Sequence, residues 1–224
     1  MSTIVASTLT TVDNNTSLFV TTGNTSVGLD LYASNGSLRL KATNILINGS
    51  IIGSGKQTIW IPAVALLPRI TNGPSVGSLI TTTNLIQLRT LDYDPGVYEA
   101  AQFHIKMPKH WDKGTITFSP VWSQLTSSAG SVSWNLAAVA ISNSDSIDGA
   151  LGTPITLTSS GGTANTVYVG SESSAVTVAG SPQDDDLVVF EIGRHATGAS
   201  DTLAIDARLH GVNIYYTANT YTDA

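Results

Sequence analysis

From residue 57 to residue 217 the sequence is a train of short runs in which apolar and polar residues alternate, most of them bounded by proline, glycine or aspartate. Alternation with a period of two sends every second side chain to the same face of an extended chain, so the pattern dictates half-buried β-strands. Ten runs carry it: 57–62, 85–91, 97–107, 115–122, 131–142, 155–158, 166–169, 175–179, 187–194 and 203–217. The turns between them include Asp94-Pro95-Gly96, Ser160-Gly161-Gly162 and Gly180-Ser181-Pro182. The clearest pair spans 97–122. Phe103, Ile105 and Met107 alternate with His104 and Lys106, Ile116 and Phe118 alternate with Thr115, Thr117 and Ser119, and the link 108–114 runs from Pro108 to Gly114. That arrangement predicts a β-hairpin with an exposed loop. Residues 143–150 predict one capped helical turn ended by Gly149, and no long helix is predicted. Many short strands on short connections predict an all-β fold, a jelly-roll-like antiparallel β-sandwich over residues 56–224.

Residues 1–55 read differently. The β-like pieces 17–20, 28–32, 37–41 and 44–48 are separated by the turn pairs Gly23-Asn24, Asn35-Gly36 and Asn48-Gly49. Strands this short cannot enclose a core within about fifty residues of one chain. The segment is therefore expected to be a β-rich shaft or attachment piece, completed by other copies of itself in a homotrimer or by docking on a larger assembly. Gly53-Ser54-Gly55 supplies the linker to the sandwich.

Composition narrows the partners. Only 12% of the 224 residues are charged and the net charge is −6, so a basic face for phosphate is not expected, nor nucleic acid as a partner. Lys106, Lys109, His110 and Lys113 do cluster, but alternation divides them between faces and loop, as on a solvated edge. There is no cysteine, hence no disulfide, thiolate metal site or cysteine nucleophile. The start of the chain lacks the basic and apolar regions of a secretory leader, and no apolar run approaches the length of a membrane span. Synthesis in the cytoplasm without membrane insertion is the expectation. The N-x-Ser/Thr triplets at Asn14, Asn15, Asn24, Asn35 and Asn48 then follow from chance in a segment rich in those residues.

Few residues form a chemical constellation. Gly53-Ser54-Gly55-Lys56-Gln57-Thr58 fails the phosphate-loop spacing, and Pro62 prevents the helix such a loop needs. His104, His110, His195 and His210 show no metal-binding spacing. Asp92, Asp94 and the run Asp184-Asp185-Asp186 lie near prolines in turns, where aspartate bonds its own backbone. The nucleophile elbow G-x-S-x-G is absent. No catalytic residue, metal or cofactor is expected. Trp60, Trp111, Trp122 and Trp134 remain, because aromatic faces stack on sugars. Trp122 and Trp134 fall in strands and are expected in the core. Trp111 falls in the loop, as a ligand platform or a subunit contact, so Lys109, His110, Trp111 and Lys113 form the candidate contact site.

The blocks at 60–63 (WIPA), 68–73 (PRITNG), 91–94 (LDYD), 107–111 (MPKHW) and 202–211 (TLAIDARLHG) resemble the recurring blocks of a β-domain family in virion proteins of tailed bacteriophages and prophages. The resemblance covers roughly residues 58–224, and residues 31–36 and 40–50 are similar to the β-rich shafts of phage fibres. It carries no catalytic motif and implies a structural protein of the virion. The expected form is a homotrimeric tail fibre or spike, tied to other virion proteins by its N-terminal segment and contacting a host surface glycan or receptor through the exposed sandwich. The alternative is a cement or decoration protein of the capsid. A polysaccharide depolymerase is disfavoured by the short chain and the lack of an evident acid pair.

Overall fold

The alternating runs fold into two sheets packed face to face, each pleat sending one set of side chains inward. The computed structural model describes residues 46, 47, 50, 51 and 55–219, with side chains for 55–219. Strands β1 (Leu46–Ile47) and β2 (Ser50–Ile51) pair with each other, bracketing the expected turn at Asn48-Gly49. That turn, and the β-like pieces 17–20, 28–32 and 37–41, lie outside the described residues. The main strands are β3 (Gly55–Pro62), β4 (Leu67–Pro68), β5 (Ser75–Ile80), β6 (Gln87–Tyr93), β7 (Tyr98–Lys106), β8 (Thr117–Ser123), β9 (Gly130–Ile141), β10 (Ile155–Gly161), β11 (Tyr168–Val169), β12 (Val178–Ala179), β13 (Leu187–His195) and β14 (Ala207–Ala218). The first sheet has the order β10-β9-β13-β7-β4 with β12 beside β9; the second has β11-β8-β14-β6-β5 with β3 beside β14. The ladders are antiparallel apart from β12, which lies parallel to β9. The all-β, jelly-roll-like sandwich is thus the fold, and each of the ten alternating runs contains a strand.

The hairpin expected over 97–122 does not form. β7 belongs to the first sheet, paired with β13 and β4, whereas β8 belongs to the second, paired with β14 and β11. Alternation fixes which face of a strand is buried and says nothing of which strand lies beside it. The chain crosses the core between β6 and β7, again to β8 and again to β9; among the main strands, sequence neighbours pair only in β5–β6 and β9–β10. The helical turn at 143–150 is also absent. Asp145 accepts the Ser142 amide at 3.0 Å while its own amide donates to Ser142 O at 3.1 Å, closing a tight turn with Ser144 at φ 75°. A short polar side chain has outcompeted helical backbone bonding there. The one helical element among the described residues is a 3₁₀ turn at Ala63–Ala65.

Aromatic rings fill the space between the sheets. Trp122, Trp134, Tyr93, Phe118 and Phe190 are fully buried, and each contributes roughly 1.5–3 kcal/mol by leaving water. Tyr93 meets the edge of Trp134 at 5.1 Å, and Phe103 stacks on Phe190 at 4.8 Å. At one end of this layer sits a charge. Arg194 of β13 is fully buried, its Nε and Nη2 donating to the two oxygens of Asp201 at 3.0 and 2.8 Å. Nη1 donates to Tyr93 O at 3.0 Å and Ile205 O at 2.8 Å, and Nη2 also donates to Leu203 O. All five guanidinium donors are used, the condition under which a buried arginine is tolerated.

Candidate functional sites on the sandwich surface

The loop 108–114 is laced to the end of β14. Trp111 N donates to Pro108 O at 2.8 Å, Asp112 N to Thr217 O at 2.9 Å and Asn219 N to His110 O at 3.0 Å, and Trp111 bridges to Ala218. Its indole is therefore drawn inward and is 2% exposed, which removes Trp111 as a ligand platform. A large apolar ring at the midpoint of a sheet-to-sheet crossing plugs the open end of the core, as its burial requires. The loop's polar residues stay outside. His110 Nε2 lies 2.8 Å from the Tyr216 hydroxyl, and burial raises the pKa of that phenol. Lys113 pairs with Asp184 at 3.0 Å and Lys109 is exposed nearby. Exposed pairs of this kind contribute about 0–1 kcal/mol each; Lys109 and Lys113 are exposed and His110 is half-buried, while Trp111 between them is buried.

The remaining titratable groups are engaged in holding the chain. His210 is half-buried with Nε2 2.8 Å from Ser123 Oγ, while its Nδ1 is buried without a partner. Desolvation lowers its pKa; the Asp92 charge opposes this and the Arg208 charge adds to it. This serine–histidine pair is not built for attack. Ser123 is 1% exposed, and Asp92, the nearby carboxylate, is bound by Thr90 Oγ1 at 2.7 Å and Arg208 Nε at 3.3 Å rather than orienting the imidazole. His104 is exposed, against the expectation of partial burial. Asp94 and Asp186 behave as turn residues: Asp94 accepts the Gly96 amide, and Asp186 accepts Gln183 N at 2.7 Å and Ser142 Oγ at 2.9 Å. Asp92, expected in a turn, instead lies buried in β6, where the ladder to β14 and β5 holds its backbone. Among the described residues, no three His, Asp or Glu side chains are grouped to hold a metal ion.

A different surface stands out. Of the fourteen exposed large apolar side chains among the described residues, nine fall between residues 60 and 88, so the exposure is concentrated and not scattered. The hairpin β5–β6 carries most of them. At its base Val76 pairs with Leu91, which is buried; at its tip Ile80 pairs with Gln87, and Ile80, Leu85, Ile86 and Leu88 all face water. β6 pairs with β14 only at Leu91–Tyr93, so from residue 90 to its tip the hairpin has no third strand beside it and carries apolar residues on both faces. Its outer strand, residues 75–80, is an edge with no charge and no proline, which are the usual guards against pairing with another chain. Thr81 closes the tip, donating its amide to Ile86 O at 3.0 Å and accepting the Ile86 amide on Oγ1 at 2.9 Å. Sequence reasoning missed β5, and of the apolar residues in the run 85–91 only Leu88 and Leu91 fall in β6, Leu85 and Ile86 belonging to the connection before it.

No protein-family profile and no curated protein matches the chain. Solved structures similar in fold include a CBM36-1 domain of a multidomain xylanase from the hindgut metagenome of Trinervitermes trinervoides, at 9% identity over 71% of this chain and 96% of that one, with a TM-score of 0.35. The family 11 carbohydrate-binding module from Clostridium thermocellum is similar at 9% identity, covering 76% and 93%, with a TM-score of 0.34. The CBM22-1–GH10 modules of Clostridium thermocellum xylanase 10B are similar at 10% identity, covering 75% of this chain and 29% of that one, with a TM-score of 0.37. At these values the likeness is one of layered β architecture and carries nothing about ligands.

Proposed function

We propose that the chain is a structural protein of a tailed-phage virion that works as a homotrimeric fibre or spike, with the sandwich turned toward the host. The observation that carries this reading is the overhanging hairpin β5–β6. An uncharged edge strand with apolar side chains on both faces is unfavourable in water and is relieved by burial against a neighbour. Covering the exposed parts of Ile80, Leu85, Ile86 and Leu88 would contribute on the order of 3–6 kcal/mol before association costs, a share of what an assembly needs. A hairpin that reaches from one copy to a different surface of the next makes a head-to-tail contact, which closes into a ring under threefold rotation.

The blocks that resemble those of phage virion proteins are consistent with the structural half of the reading. Pro62 pairs with Gly211 and Tyr93 with Ala207, while Asn72 O accepts the Ala100 amide at 3.0 Å. Leu203 O and Ile205 O receive Arg194, and Trp111 plugs the core. These blocks join the chain to itself and assemble no reaction centre.

Light scattering and native mass spectrometry on the full chain test the proposal. A trimer is expected, and Ile80→Asp with Leu88→Lys should yield folded monomers. A wild-type chain that stays monomeric at concentrations far above those in an infected cell would end the reading. Copy number per virion then decides between assemblies: a few copies mark a fibre, and one for every shell subunit marks a capsid cement.

A further inference from the structure

With Trp111, Trp122 and Trp134 at 2%, 0% and 0% exposure, Trp60 at 45% is the one tryptophan whose ring meets solvent. It projects from β3 on the outer face of the second sheet, opposite Asn213 of β14, and Tyr215 stands on the same face opposite Thr58. The indole lies close against the sheet because residue 211 is glycine: a Cβ there would stand 2.5 Å from Trp60 Cη2 and Cζ2. Beside Tyr215, Lys56 Nζ sits 5.9 Å from the ring centroid and pairs with Glu172 at 2.6 Å. Glu172 also accepts from Thr117 Oγ1 at 2.5 Å, which fixes its carboxylate across the strand ends. The face therefore offers an immobilised indole, a second aromatic ring, a side-chain amide, and a donor–acceptor pair of zero net charge.

We propose that this face binds neutral pyranose chains, with the C–H face of one sugar stacked on Trp60 and hydroxyls of the neighbouring units bonded to Asn213 and to the Lys56–Glu172 pair. A ligand that matches adjacent fixed donors and acceptors must offer both functions, as a hydroxyl does. A ligand that matches zero net charge is itself uncharged, so uronic acids and phosphorylated glycans fit less well. A second copy of the chain fits poorly, because apolar side chains laid here would strip water from the Lys56–Glu172 pair without replacing its hydrogen bonds. The apolar residues proposed to carry assembly belong to a different element, the hairpin β5–β6. The inference deepens the host-facing reading and rests on it for its biological ligand, while the binding itself is a property of the single chain.

The test is affinity electrophoresis of the full chain through gels containing dextran, laminarin, mannan or alginate, with acrylamide quenching of tryptophan emission in parallel. At least one neutral polysaccharide should retard the protein and shield its one quenchable tryptophan, and alginate should retard it less. Trp60→Ala should weaken retardation about tenfold or more and Lys56→Met by a smaller factor. Both positions are solvent-facing, so an unchanged melting midpoint shows that the fold is intact. Trp111→Phe should bind as wild type. Retardation by none of the neutral polymers, or retardation that survives Trp60→Ala, would overturn the proposal. So would shielding of Trp60 by raised protein concentration alone, which would assign the face to another copy. The monomeric double variant, Ile80→Asp with Leu88→Lys, separates the two readings: it should keep the sugar contact even where the trimer is lost.

Discussion

The sharpest test of the fold's internal logic is the buried guanidinium of Arg194. Replacing Asp201 by Asn keeps the shape of the site and removes the compensating charge, leaving a cation with 0% side-chain exposure facing a neutral amide. Breaking one side of a buried pair costs about 3–5 kcal/mol. For a chain of this size each kcal/mol lowers the melting midpoint by roughly 2–4 °C, so Asp201→Asn should melt roughly 6–20 °C below wild type. The informative variant is the double substitution Arg194→Met with Asp201→Asn. If the pair were only an ion pair, removing both charges would restore stability or raise it, since apolar replacements of buried pairs are often neutral. Here Arg194 also donates to the carbonyls of Tyr93, Leu203 and Ile205. Depriving buried carbonyls of their donor costs about 1–3 kcal/mol apiece, so with three of them affected the double variant should remain roughly 3–9 kcal/mol below wild type. Urea unfolding followed by tryptophan fluorescence reads this directly, because the buried Trp134 packs on Tyr93, which accepts from Arg194. A double variant as stable as wild type would refute the view that the arginine ties the 201–206 loop to the core.

Two further outcomes follow from the surfaces. Trp111→Ala should destabilise by about 3–5 kcal/mol as a core deletion, while Trp111→Phe should cost less than about 1.5 kcal/mol because the indole N–H has no partner to lose; thermal melts of both variants check this. His210 should make the fold acid-sensitive. Burial holds its folded pKa below the ordinary 6.5, so the unfolded chain takes up the proton first. Its contribution is complete above that value and is lost as the pH falls from there through the lower folded value. Glu99 and Asp206, both raised by burial, work in the opposite sense at more acidic pH. Urea midpoints at about pH 7.5 and about pH 6 should therefore fall for wild type and hold nearly level for His210→Gln.

The strands were legible because alternation is a local property, and the aromatic core was legible because Trp122 and Trp134 sit at inward positions of long strands. Pairing was not. Whether residue 118 faces residue 103 or residue 214 depends on loop paths and on the fit of whole sheets, and Phe118 in fact pairs with Ile214. Arg194 was illegible for a related reason: an arginine near the end of an alternating strand reads as a solvated edge, and only the return of the 201–206 loop turns it inward. The contact loop was half legible. Its lysines are at the surface, but one apolar ring between polar neighbours gave no sign that β14 would pull it in. Trp60 was read only as one of four tryptophans, because exposure is decided by what the other sheet fails to cover.

The two surfaces singled out by the structure differ in location and chemistry, and their separation makes a prediction of its own. The apolar hairpin leaves β14 at Leu91, and the Trp60 face is the outer side of β3 and β14. Assembly that buries Ile80 and Leu88 and leaves Trp60 open presents one sugar face on every copy. A single shallow platform holds a sugar weakly, since one stacked ring and a few exchanged hydrogen bonds must offset the ordering of both partners. Several such platforms carried by one particle turn later contacts into intramolecular ones, and overall retention can then exceed the single-site affinity by about 10²–10⁴. The monomeric double variant, Ile80→Asp with Leu88→Lys, should accordingly match wild type in binding short soluble oligosaccharides and fall behind it by a large factor on a surface coated with the same polysaccharide. Surface plasmon resonance in both formats checks this. Equal loss in the two formats would mean that the hairpin shapes the sugar site directly, and equal retention would mean that assembly adds nothing to attachment.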